Sequence, residues 1–285
     1  MEYRKLGKTG LQPSAIGIGC NKIAALSGDR REAAAAPEQA LDAGINFFDT
    51  ADDYSYGDSE RLLGKVMRGR RDQVIICTKA GHSRDSLQRF GKFAVPLVKK
   101  IVRRWKPLQQ TAASAVARRS ASRNFEPGYI SRCVNSSLRR LNTDYLDLFL
   151  LHGPSPQDIA DGAVFEALES FKEKGLIRHY GVSCQKTVTT NDASAILEHP
   201  GVSNLQISVH PYNTDVIEAI QGKAEKQGVG LVAREIFLKG AIFDDSPLRE
   251  ALAKHHDHSP AQTALQFAFQ INAGGPVLVG VTNRK

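Results

Sequence analysis

The chain alternates apolar, strand-like runs with helix-like segments along almost its whole length. Three of these runs read INFFDTA, QVIICTKAG and LDLFLLHG, and the segment GYISRCVNSSLRRL between the last two has apolar residues at helical spacing. Eight strands alternating with helices are typical of one parallel sheet closed on itself. The sequence therefore predicts a single (β/α)8 TIM barrel over residues 1–285, opened by a short β-hairpin over YRKLGKTGLQPSA.

Composition places the chain among ordinary globular proteins, with 285 residues, 41% hydrophobic and 24% charged. Its four cysteines lie far apart, which favours buried thiols in a reducing compartment over disulfides or a zinc site. The N-terminal MEYRKLGKTG lacks the apolar core of a secretory signal, and no apolar run approaches the ~20 residues of a membrane span. We therefore expect a cytoplasmic protein.

The positive charge is concentrated in one segment, residues 82–126. This segment holds eleven Lys or Arg and two acidic residues, a balance of +9 within a chain whose total is +8. Residues 93–108 within it have apolar and basic side chains on different faces of a predicted helix. Such a helix could lie on an anionic membrane, although we favour packing on the barrel rim. Nucleic-acid binding is not expected, because no known binding module is present.

Four residues that can carry acid–base chemistry follow three of the predicted strands. Asp49 and Tyr54 come after INFF, Lys79 lies in VIICTKAG and His152 ends LDLFLLHG. The carboxyl ends of barrel strands meet on one face, where the active sites of barrel enzymes lie. Each residue alone has a structural explanation, such as an ion pair for Asp49 and Lys79. Together, the four predict a catalytic pocket.

These motifs resemble those of the aldo-keto reductase family, specifically a bacterial-type member with an extended basic loop after strand 3. The resemblance rests on DTADDYSYG, the lysine of CTKAG and the histidine of LLHG, and extends through EKGLIRHYGVS to VLVGVTN. It implies reduction of an aldehyde or ketone by hydride transfer from NADPH, with NADH as a second option. By resemblance, Tyr54 is the general acid in reduction and the base in oxidation.

Elementary chemistry assigns roles to the other three residues. A free tyrosine has a pKa near ~10, which makes it a weak acid at neutral pH. A lysine ammonium within ~4–6 Å favours tyrosinate, so Lys79 is expected to lower the pKa of Tyr54. Asp49 would hold Lys79 by an ion pair, and His152 would orient the carbonyl and share in proton transfer.

The cofactor side of the predicted pocket rests on the resemblance alone. GIGIGC contains a GxG pattern but lacks the third glycine of the dinucleotide fingerprint. The resemblance implies carboxamide contacts from Ser183 and Gln206, with Cys184 where the family often has Asn. Arg234 stands where an aromatic residue commonly flanks the nicotinamide, and a guanidinium can also stack on a ring. Cys20 and Asn21 match pyrophosphate-proximal positions only loosely, and strand-end packing explains them as well.

The C-terminus carries only part of the family's pattern. By resemblance, the last strand leads to a stretch that grips the 2′-phosphate of NADP, and Gly280, Thr282 and Asn283 match its start. The sequence stops at Lys285, so we expect the final barrel helix to be missing, through truncation or disorder. The choice between NADPH and NADH stays open, as do the substrate and the oligomeric state.

One alternative to an enzyme stays open, and a metal site is not expected. A non-catalytic NADP(H)-binding scaffold or sensor of the same fold remains possible in view of the incomplete C-terminus. The HHDH run at residues 255–258 suggests metal, but no second cluster of ligands accompanies it. We therefore predict no metal site, and a small-molecule carbonyl compound as the partner.

Overall fold

Eight parallel strands close into a barrel in chain order. A computed structural model describes residues 1–24, 30–82, 123–243, 250, 258–272 and 274–281. The strands are β1 (Ile16–Gly19), β2 (Phe47–Asp49), β3 (Ile75–Ala80), β4 (Leu146–His152), β5 (Ile177–Ser183), β6 (Val202–Ser208), β7 (Gly230–Arg234) and β8 (Val277–Gly280). Strand β1 pairs with both β2 and β8, which completes the ring. The barrel predicted from the sequence is confirmed.

Helices follow the strands around the outside of the barrel. In the described part of the chain they are α1 (Arg30–Asp42), α2 (Asp58–Val66), α3 (Pro127–Leu141), α4 (Ala163–Glu173), α5 (Thr190–Leu197), α6 (Asp215–Gln227) and α7 (Pro260–Ile271). Ser259 caps α7 through a reciprocal capping box with Gln262, ahead of Pro260, as its sequence predicts. None of these described helices is both long and apolar enough to span a bilayer. The cytoplasmic location stays a prediction.

Two helices differ from the sequence-based expectation. The strand–helix alternation implies a helix between β5 and β6, but the sequence reading assigned no segment to it; α5 lies there, and Thr189 caps it in a capping box with Asp192. The TTND pattern is the available signal for this helix. We also expected the first helix near residues 37–43, whereas α1 begins at Arg30 and runs through Pro37. The four alanines before Pro37 have high helix propensity and carry the helix across it.

The core consists of an outer shell between strands and helices and a small cluster inside the barrel. The inner cluster contains Leu6, Phe47, Ile75, Cys77, Leu148, Leu150, Val232 and Leu278. Leu6 belongs to the N-terminal hairpin, in which the Leu6 amide donates to the Leu11 carbonyl. The Lys8 amide donates to the carbonyl of Gly228, just before β7, so the hairpin covers the N-terminal end of the barrel. All four cysteines are free and buried, as predicted.

Truncating Leu6 to alanine should destabilise the protein by about 2–5 kcal/mol, because its side chain is fully buried among the inner-barrel residues. The free energy of unfolding in urea measures this effect. Leu11→Ala in the same hairpin is the matched control, since Leu11 is only partly buried against the cluster. Equal losses of unfolding free energy for the two variants would contradict a specific contribution of Leu6 to the inner-barrel core.

Backbone pairing beside the barrel joins the two ends of the stretch that contains the basic segment. His82 and Arg123 form an isolated antiparallel bridge, and the Asn124 amide donates to the carbonyl of Gly81 over 2.8 Å. Residues 83–122 lie outside the described residues. The expectations for an amphipathic helix at 93–108, for its membrane contact and for one domain with an insertion at 82–126 therefore stay predictions.

Candidate active site

Polar side chains replace apolar ones at the last inward-facing position of several strands. Side chains alternate between the two faces of a strand, so residues two apart point the same way. Phe47 and Cys77 point into the barrel as part of the inner cluster, and Asp49 and Lys79 are the next inward positions on β2 and β3. The residue at which each apolar run ends in the sequence therefore lies at the upper surface of the inner core.

Asp49 and Lys79 form a buried ion pair on this surface. Lys79 Nζ lies 2.7 Å from Asp49 Oδ2 and donates a second hydrogen bond of 2.7 Å to the Thr50 carbonyl. The two residues are only 4% and 1% exposed. Burial is the largest single influence on the pKa of Lys79 and lowers it, but the charge and hydrogen bond of Asp49, together with the nearby Tyr54 and Cys77, raise the net pKa. Lys79 is therefore a fixed, buried cation.

Gln206 on β6 joins this pair from across the barrel. Its Nε2 donates to Asp49 Oδ1 over 2.5 Å, so both oxygens of the carboxylate have partners. Its Oε1 is buried and has no hydrogen-bond partner within the described residues. The sequence predicted Gln206 as a cofactor contact but gave no indication of its bond to Asp49, 157 positions away.

Tyr54 lies over the ion pair on a short 3-10 turn after β2, Tyr54–Gly57. Ser55 and Tyr56 in this turn have φ values of 49° and 60°, and Gly57 has 79°. The left-handed backbone makes the chain turn back sharply over the barrel mouth before α2 begins. The centre of the Tyr54 ring is 5.2 Å from Lys79 Nζ and 5.9 Å from the His152 ring, to which it is edge-on. The structure thus brings all four acid–base residues together.

The pKa of Tyr54 departs from the expectation. Burial raises it to about 12, and the Lys79 ammonium opposes this rise without cancelling it. Lys79 has the predicted effect, but removal of the phenolate from water is the larger cost. The net lowering of the pKa predicted from the sequence is therefore wrong, and Tyr54 is protonated at neutral pH.

His152 has two neighbours that the sequence analysis did not assign. Its Nδ1 lies 3.7 Å from Oδ1 of Asp53, and its ring centre lies 4.4 Å from that of His82, edge to face. Asp53 directly precedes Tyr54, and His82 follows β3 on the same face of the barrel. Proximity to strand ends was the available signal for both residues.

Strand register sets the remaining residues beside His152. His152 pairs with Ser183 on β5, and Ser183 pairs with Gln206 on β6. These three residues form one row along the upper edge of the sheet, and Ser183 and Gln206 are buried. Two residues further along β6, Ser208 pairs with Arg234 at the end of β7.

Comparisons with known proteins agree with this geometry. A family model described as "Aldo/keto reductase family" matches residues 15–285. The chain is also 30% identical over 251 residues to the uncharacterized oxidoreductase YqkF of Bacillus subtilis strain 168, which covers 88% of this chain and 69% of that protein. The chain belongs to the aldo/keto reductase family. The family consists of oxidoreductases that typically bind a nicotinamide cofactor.

Further relatives cover nearly the whole chain. Pyridoxal 4-dehydrogenase of Microbacterium luteolum is 28% identical over 320 residues, which cover 98% of this chain and 89% of that protein. An aldo-keto reductase of Bacillus halodurans, solved in its holo form, has a TM-score of 0.75 at 25% identity over 99% of this chain and 87% of that one. The aldo/keto reductase of Klebsiella pneumoniae in complex with NADP and acetate shares the fold, with a TM-score of 0.70 at 20% identity over 99% and 86%.

The aldo/keto reductase site offers polar groups that fit a nicotinamide carboxamide. Such a group has an NH2 donor and a carbonyl acceptor. Oε1 of Gln206 is a buried acceptor without a partner among the described residues, and Ser183 places a hydroxyl beside it in the row. Cys184 lies just beyond, where burial raises the pKa of its thiol to about 12, so it is a neutral and weak hydrogen-bond donor.

Arg234 is held in a network that the sequence did not predict. Its Nη2 donates to the carbonyl of Cys184, and its Nη1 lies 3.3 Å from Oε1 of Glu235. Lys186 and Ser208 contact the other oxygen of Glu235 at 2.9 and 3.0 Å. Glu235 has a φ of 61°, a conformation uncommon for a residue with a side chain. These contacts fix the guanidinium at the barrel mouth, where stacking on a ring remains a prediction.

The residues matched to the pyrophosphate and adenosine lie further out. The Cys20 thiol is fully buried in the outer shell and contacts the Ile18 carbonyl, which supports a packing role for this side chain. Asn21 is exposed in the turn after β1. Gly280 is exposed at the end of β8, level with Gly19. Thr282 and Asn283 lie outside the described residues, so their contacts stay predictions.

Proposed function

We propose that this chain reduces an aldehyde or ketone to an alcohol by hydride transfer from NADPH, with Tyr54 as the general acid. One observation carries the proposal: the Tyr54 ring lies 5.2 Å from a lysine that is buried and fixed by a carboxylate. A buried ion pair beneath a tyrosine at the barrel mouth supplies both a proton donor and fixed charge for the transition state. Relatives named as oxidoreductases and dehydrogenases support the same class of reaction.

The cofactor would lie across the strand ends. When bound, NADPH supplies the hydride. Ser183 and Gln206 would hold the carboxamide, and Arg234 would flank the ring from β7. Cys20 and Asn21 would approach the pyrophosphate through their backbone, and Gly280, Thr282 and Asn283 the adenosine end. The NADP in the related Klebsiella structure supports this choice of cofactor.

Tyr54 would donate its phenolic proton to the carbonyl oxygen as negative charge develops there. A phenol with a pKa of about 12 stays protonated until it meets a stronger base, and the developing alkoxide is such a base. The tyrosinate left behind is stabilised by the Lys79 ammonium, because opposite charges in a dry site attract strongly. In the oxidation direction the same tyrosinate would accept the proton from the alcohol.

His152 would position the carbonyl group against Tyr54. Its ring stands edge-on to Tyr54 and contacts Asp53 and His82 on its other sides. An imidazole N–H directed at the carbonyl oxygen would both orient the substrate and share the developing charge. Asp53 would hold the orientation of the ring.

Fluorescence titration with NADPH and NADH, followed by aldehyde-dependent oxidation of the better ligand, tests the proposal. We expect cofactor binding to quench or shift the fluorescence of the nicotinamide. We also expect oxidation of the cofactor to require both the aldehyde and the protein. Binding of neither cofactor would contradict the proposed function and the scaffold alternative alike.

Ser183→Ala should raise the Kd for NADPH roughly two- to twelvefold, because one hydrogen bond of about 0.5–1.5 kcal/mol is lost from the carboxamide. The titration described above measures the change. Ser203→Ala is the matched control, since Ser203 lies on β6 and its hydroxyl bonds the Tyr180 carbonyl instead. An unchanged Kd in Ser183→Ala would rule out the proposed contact.

A further inference from the structure

We propose that Asp53, His82 and His152 form a binding site for a divalent transition-metal ion of the Zn²⁺ class. The three residues lie together at the mouth of the barrel, beside Tyr54. They differ in position from the HHDH run that first suggested metal in the sequence. Binding of the ion does not depend on the proposed carbonyl reduction.

The geometry of the donor atoms supports this inference. One ligand atom from each of the three residues lies within 4.8 Å of the other two. His152 Nδ1 and Asp53 Oδ1 are 3.7 Å apart, close to the ~3.3 Å between neighbouring ligands of a tetrahedral zinc with bonds of about 2.0–2.1 Å. The two imidazole rings stand at 83° with centres 4.4 Å apart. Small rotamer adjustments would therefore bring all three atoms to bonding distance.

The backbone holds the three ligands on different elements. His152 is the last residue of β4, and Asp53 precedes the 3-10 turn over the barrel mouth. The His82 carbonyl accepts a hydrogen bond of 2.9 Å from the hydroxyl of Tyr129 on α3, and its backbone pairs with Arg123. A site built from pinned backbone positions loses little conformational entropy when the ion binds.

The donor set indicates which ion it suits. Two imidazoles and one carboxylate are the ligands of many three-residue zinc sites, in which water takes the fourth position. Mg²⁺ and Ca²⁺ prefer oxygen ligands, so two imidazoles disfavour them. The side chains of Asp53 and His152 are 24% and 18% exposed, which leaves the ion a path from solvent. The nearby charge of Lys79 is already paired with Asp49 at 2.7 Å.

An ion at this site would occupy the space where a carbonyl must approach Tyr54 and His152. Their ring centres are only 5.9 Å apart. Zn²⁺ would then inhibit turnover by competing with the substrate for His152. This consequence, unlike the binding, rests on the proposed function.

Isothermal titration of the metal-stripped protein (residues 1–285) with ZnCl2 tests the site, with Mg²⁺ as the comparison ion. We expect about one Zn²⁺ per chain for the wild type and no heat from Mg²⁺. His82→Gln and Asp53→Asn should each weaken Zn²⁺ binding by more than roughly tenfold, since even indirect partners of ligands have effects of 10–100-fold. The control is the double variant His255→Gln/His256→Gln, which removes the competing histidine run and should bind as the wild type does.

Two results would overturn the proposal: a wild type that binds no Zn²⁺, or binding lost in the His255/His256 variant and intact in His82→Gln. Circular dichroism checks that each variant is folded, and Asp53→Asn decides the matter if His82→Gln is not. Inhibition by Zn²⁺ is measured separately, on wild type and His82→Gln. A protein that binds Zn²⁺ here but reduces no carbonyl supports the site and contradicts the proposed function instead.

Discussion

Replacing Tyr54 with phenylalanine should lower kcat for carbonyl reduction by roughly 10²–10⁴-fold, the usual contribution of a positioned general acid. Phenylalanine keeps the ring over Lys79 and against His152 but removes the proton that the alkoxide needs. Steady-state rates of NADPH oxidation with a reactive aldehyde measure the loss. The Kd for NADPH should be unchanged, since Tyr54 is not among the residues proposed to hold the cofactor.

Tyr145→Phe is the matched control for this substitution. The Tyr145 ring lies against the guanidinium groups of Arg71 and Arg178, contacts that phenylalanine retains. It directly precedes β4, at the opposite end of the strand from His152. We expect wild-type rates for Tyr145→Phe. Rates for Tyr54→Phe equal to those of the control would exclude Tyr54 as the acid.

Replacing Lys79 with methionine should destabilise the fold by about 3–5 kcal/mol and abolish reduction. The change leaves the buried Asp49 carboxylate without its counter-ion. An unpaired buried charge costs far more folding free energy than removal of both members of the ion pair. Gln206 still donates to Asp49, but one neutral hydrogen bond does not compensate for the charge. Urea unfolding measures the stability, and NADPH oxidation measures the activity.

Two further variants separate the effect of burial from that of charge. Arg70→Met breaks the 2.7 Å ion pair of Arg70 with Asp42, which is exposed, so it should cost at most about 1 kcal/mol. Adding Asp49→Asn to Lys79→Met removes the uncompensated charge and should restore part of the stability without restoring activity. Equal costs for Lys79→Met and Arg70→Met would contradict the account of a buried pair.

The architecture was predictable because its signals are local and repeated. Apolar runs bounded by polar residues, capped helices and their strict alternation determine the barrel, and the inner core lies where the inward positions of β2, β3 and β4 are apolar. The missed helix α5 is short, and its capping box is the clearest sign of it. With only eight residues, it has too few turns for apolar residues at helical spacing to mark it.

The candidate site was predictable only in part. Asp49, Lys79 and His152 could be found because each interrupts an apolar run at a strand end. The bond from Gln206 to Asp49 and the network around Glu235 depend on barrel closure and on loop conformation, which a single sequence does not encode locally. The direction of the Tyr54 pKa shift was predicted wrongly for the same reason, since the desolvation that outweighs the Lys79 charge depends on how the elements pack around the phenol.

The position of deuterium in the product tests the central claim most directly. The wild type is incubated with NADPH deuterated at the transferred position and a panel of aldehydes and ketones, and the alcohols are examined by mass spectrometry. The account predicts that wild type and Tyr145→Phe form alcohol with deuterium on the carbinol carbon. In the same reaction time, Tyr54→Phe should form almost no labelled alcohol. A wild type that binds NADPH but yields no labelled alcohol from any compound would contradict it and favour a non-catalytic scaffold.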